Sequence, residues 1–248
     1  SILRAGGYRV GLYTSPHLHR VTERIRIGMD PVGYCEFARL VRQVWAQAEL
    51  VEQTGGYGPL TFFELMTAMA FLHFQQKEVD LQVIEVGLGG RLDSTNVVSP
   101  ELSVITSVSL DHVVTLGSTV SLITVEKAGI IKEATPVVMA PQSLEAATVV
   151  RKIAAERHAP LKEVADDFPW QALDTCTTGQ SFHVAGAYGP YTLQTRLLGI
   201  HQVENAATAV ATVETLIDRG FTLSPASVVK GIAETDWPGR LQVLSDTG

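Results

Sequence analysis

The run Leu81-Gln82-Val83-Ile84-Glu85-Val86 is rich in β-formers and breaks into the cluster Gly87-Leu88-Gly89-Gly90-Arg91. The same order, a strand-forming run ending in a polar loop, recurs on both sides of it. Tyr8 to Tyr13 leads into Thr14-Ser15-Pro16-His17-Leu18, and Leu102 to Val108 leads into Asp111-His112. A second short strand is expected over Ile25 to Ile27. Helical patterns lie between these runs. Residues 33–52 space Phe37, Leu40, Val41, Val44, Ala48 and Val51 along one face, and Thr61 to Phe74 is apolar on nearly every side, which predicts a buried helix. Residues 119–158 read as helix, strand (Pro136 to Met139) and helix, and two more helices follow near 202–219 and 224–234. Strands alternating with helices predict the α/β class, a mostly parallel sheet flanked by helices. Residues 160–197 differ, with short polar strands around the turn Gly186-Ala187-Tyr188-Gly189-Pro190, and are expected to form a small β-rich extension of the same domain.

With 248 residues the chain can bury a substantial core, and its formal net charge of −7 argues against a surface that grips nucleic acid through phosphates. No apolar run reaches the 18 residues of a membrane span. Cys35 and Cys176 match no metal or redox spacing, which suits reduced thiols in a cytosolic protein. Ser1 to Gly7 reads as the last turns of a helix stopped by a glycine pair, and Gly239-Arg240-Leu241-Gln242-Val243-Leu244 as a strand leading onward. The expectation is a chain that continues at both ends.

In open parallel sheets ligands bind beyond the carboxyl ends of the strands, where Ser15, Glu85 and His112 all fall. Glu85 stands where a core position is expected, so its burial calls for compensation by a metal cation or by an arginine such as Arg91. The glycine cluster lacks the full dinucleotide spacing and reads more simply as a tight turn. Taken alone, His112 reads as a satisfied core histidine, Lys127 as a surface lysine, and Phe62-Phe63 as core. Asn205, on an Ala/Val-rich helix, reads as a buried amide in need of partners.

Taken in order, these blocks carry more. Ser15-Pro16-His17-Leu18, Glu23-Arg24-Ile25-Arg26-Ile27, Thr61-Phe62-Phe63-Glu64, Glu85 through Asn96, Leu110-Asp111-His112, Glu126-Lys127-Ala128-Gly129-Ile130-Ile131-Lys132, His201 through Ala207 and Trp237-Pro238-Gly239-Arg240 resemble the folylpolyglutamate synthase/dihydrofolate synthase family of the Mur ligase superfamily. The resemblance spans essentially the whole chain. It implies a P-loop-type ATPase central domain over residues 1–248, with 160–197 as its β-rich extension and 198–248 as closing helices and the start of a link. The first strand, the P-loop and a Rossmann-like C-terminal domain are expected outside the chain.

By resemblance, Ser15 and Glu85 hold a first Mg2+ and His112 a second. Asn205 and Arg240 contact ATP, Lys127 is carried as a carbamate, and Thr61, Phe62, Phe63, Glu64, Leu92, Asp93 and Ser94 line the pteroate pocket. Phe62 or Phe63 would stack on the pterin, and Asp93 would accept from its amino groups. The implied reaction adds L-glutamate to folate or dihydropteroate through an acyl phosphate, releasing ADP and phosphate. The implied partners are these small molecules alone, with no nucleic acid or membrane, in a cytoplasmic protein that is monomeric when full length. Val113-Val114 and Thr124-Val125 depart from the family pattern and leave the ligands in place. Two rivals share parts of this pattern: a peptidoglycan-precursor ligase, which would lack the folate-type blocks, and a noncatalytic nucleotide-binding remnant.

Overall fold

A computed structural model describes residues 1–56 and 58–241. They divide into two compact units, residues 8–98 and residues 1–7 with 99–241. The chain opens with α1 (Ile2–Ala5), stopped at Gly6 and followed by Gly7 at φ 92°.

The unit of residues 8–98 holds β1 (Val10–Tyr13), β2 (Ile25–Ile27), β3 (Asp30–Pro31), α2 (Tyr34–Gly55), α3 (Phe62–Gln76) and β4 (Leu81–Ile84). Its sheet runs β3-β2-β1-β4, with β1 antiparallel to β2 and parallel to β4 in the register Tyr13↔Ile84. Helix α2 ends on Gly56 in the left-handed region, at φ 66°. Helix α3 starts with a capping box: Thr61 Oγ1 accepts from Glu64 N, and Glu64 Oε2 accepts from Thr61 N. Tyr13, Ile25, Leu40, Met66, Met69, Ala70 and Phe74 form the core between sheet and helices. The expectation of a buried α3 holds for this face.

The other unit adds β5 (Ser103–Ile105), α4 (Val113–Leu116), α5 (Val120–Ala128), β6 (Val137–Met139), α6 (Leu144–Glu156), β7 (Leu161–Glu163) and α7 (Val164–Asp167). After these come β8 (Trp170–Cys176), β9 (Gly179–Gly186), β10 (Gly189–Thr195), α8 (Ile200–Asp218) and α9 (Pro225–Ala233). Strands β5-β6-β7 are parallel, so Leu161–Glu163 belongs to the parallel sheet, and the antiparallel extension β10-β9-β8 begins at Trp170 rather than at residue 160. Gly186 pairs with Gly189, making the expected turn a hairpin. Thr119, Ser143 and Ser224 cap α5, α6 and α9 through their side chains. Ile105, Val108, Ile123, Val137, Met139, Ala146 and Val150 form the core of the parallel part. The fold is α/β, as the alternation predicts. At the far end, Gly239 to Leu241 form a turn and bend, not a strand, and Gln242 to Leu244 lie outside the described residues.

Candidate functional site

In the unit of residues 8–98 the parallel pairing of β1 with β4 brings their two following loops to one sheet end. Glu85 N donates to Tyr13 O at 2.9 Å, and Ser15 N donates to Glu85 Oε2 at 2.8 Å. The two oxygen-bearing residues picked from separate motifs are therefore neighbours. Glu85 is exposed, however, which corrects the expectation of a buried carboxylate. Glu85 stands just past the last residue of β4, in the loop at the strand end.

The Ser15 loop is held by Glu23. Its carboxylate accepts from Leu18 N and Arg20 N, both at 2.9 Å, and from His19 N at 3.3 Å. The Leu18 bond is the main reason this acid sits below the ordinary carboxylate range. Glu23 stood within a motif, but sequence reasoning assigned it nothing, because its partners are backbone groups that carry no residue signature.

The glycine cluster is folded around Asp93. Oδ2 accepts from Gly87 N at 3.1 Å and Leu88 N at 2.9 Å, while Oδ1 accepts from Thr95 N at 2.9 Å and Thr95 Oγ1 at 2.5 Å. The expectation that Asp93 receives pterin amino groups must therefore compete with four donors already in place. The need for glycine at Gly87 is steric: a Cβ there would stand 2.4 Å from Phe63 Cζ. Gly89, at φ 69°, makes the turn.

The paired phenylalanines part company. Phe63 stacks on Tyr13, with ring centroids 5.8 Å apart, and joins the core. Phe62 is 56% exposed and lies under the Arg24 guanidinium, 5.3 Å from its ring centroid, which corrects its assignment to the core. Successive helical residues point about 100° apart, so one face cannot take both. Arg24 is steadied by His17, with Nε donating to Nδ1 at 3.0 Å. Thr61 and Glu64 serve the α3 cap described above. Ser94 Oγ shares a hydrogen bond with Thr67 Oγ1 at 3.1 Å, and Leu92 is 79% exposed.

The remaining candidates lie in the other unit. His112 is not a core histidine. Its side chain is 60% exposed, its backbone is left-handed at φ 49° and ψ 39°, and its N–H donates to Asp111 Oδ1 at 2.8 Å. A non-glycine residue in this region is held there at a cost, and such residues gather at functional sites. Lys127 is half-buried in the last turn of α5. Asn205 is exposed, with Nδ2 donating to Gln202 Oε1 at 3.2 Å, so the argument from a buried amide fails. The buried face of α8 is Val203, Ala206, Ala207 and Val210, and position 205 turns away from it. Arg240 is exposed in a turn, its N–H donating to Trp237 O at 3.3 Å.

No cluster of three or more His, Cys, Asp or Glu that could hold a metal occurs among the described residues. Two open cavities, of about 510 Å3 beside Cys176 and about 470 Å3 beside Arg20, are lined by none of the predicted site residues. Both cysteines are free and exposed. No helix among the described residues is long and apolar enough to cross a membrane.

Residues 37–213 match the family described as Mur ligase middle domain. The chain is 39% identical, over 99% of its length, to a dihydrofolate synthase/folylpolyglutamate synthase of Bacillus subtilis, and spans 58% of that protein. It is 34% identical to the protein of that description in Escherichia coli, covering all of this chain and 54% of the other. Among solved structures it resembles a complex of FPGS with AMPPCP and folate, with TM-score 0.94, 38% identity, and 99% and 60% of the two chains covered. A Mycobacterium tuberculosis folylpolyglutamate synthase complexed with ADP and AMPPCP gives TM-score 0.91, 34% identity, and 97% and 55% coverage. The chain thus spans little more than half the length of these relatives.

Proposed function

The chain belongs to the Mur ligase middle domain family, and from that premise we propose that its protein is an ATP-dependent ligase. The reaction would add L-glutamate to a folate, to dihydropteroate, or to both. The substrate carboxylate attacks the γ-phosphate of ATP, giving an acyl phosphate and ADP. The amine of glutamate then attacks the activated carbonyl, and phosphate leaves. The observation that carries the reading is the meeting of Ser15 with Glu85 at one strand end, where ligands of parallel sheets bind. The names of the relatives support the folate class of substrate.

A hydroxyl and a carboxylate are hard oxygen donors of the kind magnesium prefers, so Ser15 and Glu85 fit a first such ion, and His112 is proposed to hold a second. When bound, magnesium would neutralise phosphate charge. The chain's own residues have separate tasks. Ser15 N–H orients the Glu85 carboxylate, Glu23 fixes the loop that carries Ser15, and Asp93 shapes the glycine turn. Phe62 offers an exposed aromatic face, already partnered by a cation, on which a flat pterin would stack. Asn205 and Arg240 are proposed to contact the nucleotide, and their exposure leaves them accessible to it. Lys127 is proposed to carry a carbamate. The C-terminal turn of a helix favours a cation, so that modification needs a partner beyond α5.

The test is incorporation of labelled glutamate by the natural, full-length protein with Mg-ATP, offered folate and dihydropteroate separately. Incorporation with at least one acceptor, cut by orders of magnitude in Glu85→Gln, is the expected result. No incorporation with either acceptor, or near-normal turnover by Glu85→Gln, would overturn the reading.

A further inference from the structure

The strand-forming run that contains β5 extends to Val108, yet the strand ends at Ile105. The last main-chain rung is Ala140 N donating to Ile105 O at 2.9 Å. Beyond it a side chain takes over. Gln142 Nε2 donates to Thr106 O at 2.8 Å, and Gln142 Oε1 accepts from Val108 N at 2.9 Å. One planar amide thus satisfies a carbonyl and an N–H two residues apart, as the next residues of a paired strand would. Val108 is buried in the core cluster that also contains Met139, so its N–H and its side chain are both held.

Four residues later stands His112 in its left-handed conformation, capping α4, whose Leu116 is buried. Residues 109–112 belong to no helix or strand. The Gln142 clamp and the buried end of α4 are therefore the two fixed points between which His112 is carried. We propose that Gln142 is a positioning residue: its bidentate hold on Thr106 and Val108 sets the place of His112. This rests on the reading of His112 as part of the ligase site. The chemistry is specific to the amide. Glutamate would still accept from Val108 N but would face the Thr106 carbonyl with a second acceptor, and methionine matches the length while offering neither bond.

The experiment compares Gln142→Met, Gln142→Glu, His112→Ala and the double variant Gln142→Met/His112→Ala in the natural, full-length protein. It reads kcat, KM for Mg-ATP, and amide hydrogen exchange. Gln142→Met should speed exchange across 106–112 while leaving β6 and α8 unchanged. It should lower kcat about ten- to a hundredfold, the order that misplacement of a positioned group costs. Added to His112→Ala, it should lower kcat no further. Unchanged exchange across 106–112 overturns the clamp, and full activity despite faster exchange overturns its positioning role. If His112→Ala alone leaves turnover intact, the reading of the site fails, while exchange still decides whether Gln142 holds the segment. Gln142→Glu keeps the test usable if the methionine variant fails to fold, because it retains one of the two bonds.

Discussion

Replacing Glu214 by glutamine sets two opposing effects against each other inside the core. The side chain is 0% exposed, on the face of α8 that meets the β9–β10 hairpin. Its Oε1 accepts from Tyr191 OH at 2.9 Å and Tyr188 N at 3.1 Å, and its Oε2 accepts from Ala187 N at 2.9 Å. Burying a carboxylate costs several kcal/mol even after relaxation, whereas each hydrogen bond to a charged group returns about 1.5–3 kcal/mol. Glutamine keeps the shape but has one acceptor oxygen. Its best placement keeps Tyr188 and Tyr191 on the oxygen and turns the NH2 toward Ala187 N–H, donor against donor. One charge-assisted bond is lost and two become neutral, while the cost of burying charge is relieved. We expect a net loss of about 2 kcal/mol, because the Ala187 N–H is left facing another donor and the two bonds that remain lose their charge assistance. For a chain of this size that is a fall in Tm of about 4–8 °C. Thermal unfolding at pH 7 followed by circular dichroism measures it, with Tyr191→Phe as the comparison that removes a single donor. A glutamine variant as stable as the parent, or more so, would show that burial of the charge outweighs its three bonds, and the reasoning would fail.

Glu36 accepts from Arg39 Nε and Nη2 at 2.9 and 2.8 Å, and chiefly for that reason its carboxyl is drawn down from 4.5 to about 2. A lowered folded value stabilises above the unfolded one, so this contribution is present above pH 4.5 and is lost as pH falls toward 2. Thermal melts of Glu36→Gln between those values should show a flatter pH dependence than the parent, and an identical slope would refute it. Lys127→Ala should lose turnover that acetate or formate partly restores by supplying an anion. Failure of both acids to restore any rate counts against the carbamate. Asp93→Ala frees Gly87 N, Leu88 N and Thr95 at once. It should speed hydrogen exchange over residues 86–96 and raise KM for the folate acceptor more than KM for Mg-ATP, and an equal rise in both would remove Asp93 from the acceptor side.

Periodicity and capping chemistry already contain most of this fold. Apolar spacing marks α2 and the buried face of α3, the Thr61/Glu64 pair marks where α3 begins, and the Gly186 to Gly189 turn marks a hairpin. These are local properties, set by residues a few positions apart, and a sequence displays them directly. The clustering of Ser15 with Glu85 was legible too, because parallel strands bring their carboxyl ends to one side. Asn205 was misjudged although its position on α8 opposite Val203 and Ala207 could have shown it exposed. What only the tertiary structure decided depends on where each strand ends and which loop meets which side chain. Glu85 is exposed because β4 ends at Ile84 and leaves the acid in the following loop. Phe62 and Phe63 diverge because Tyr13 and Gly87 claim one ring and Arg24 the other. Gln142 and Glu214 bind backbone groups 26 to 36 residues away, and a backbone amide looks the same at every position. No pattern in the residues announces such a partner, because the pairing exists only after strand register and helix packing have placed the two together.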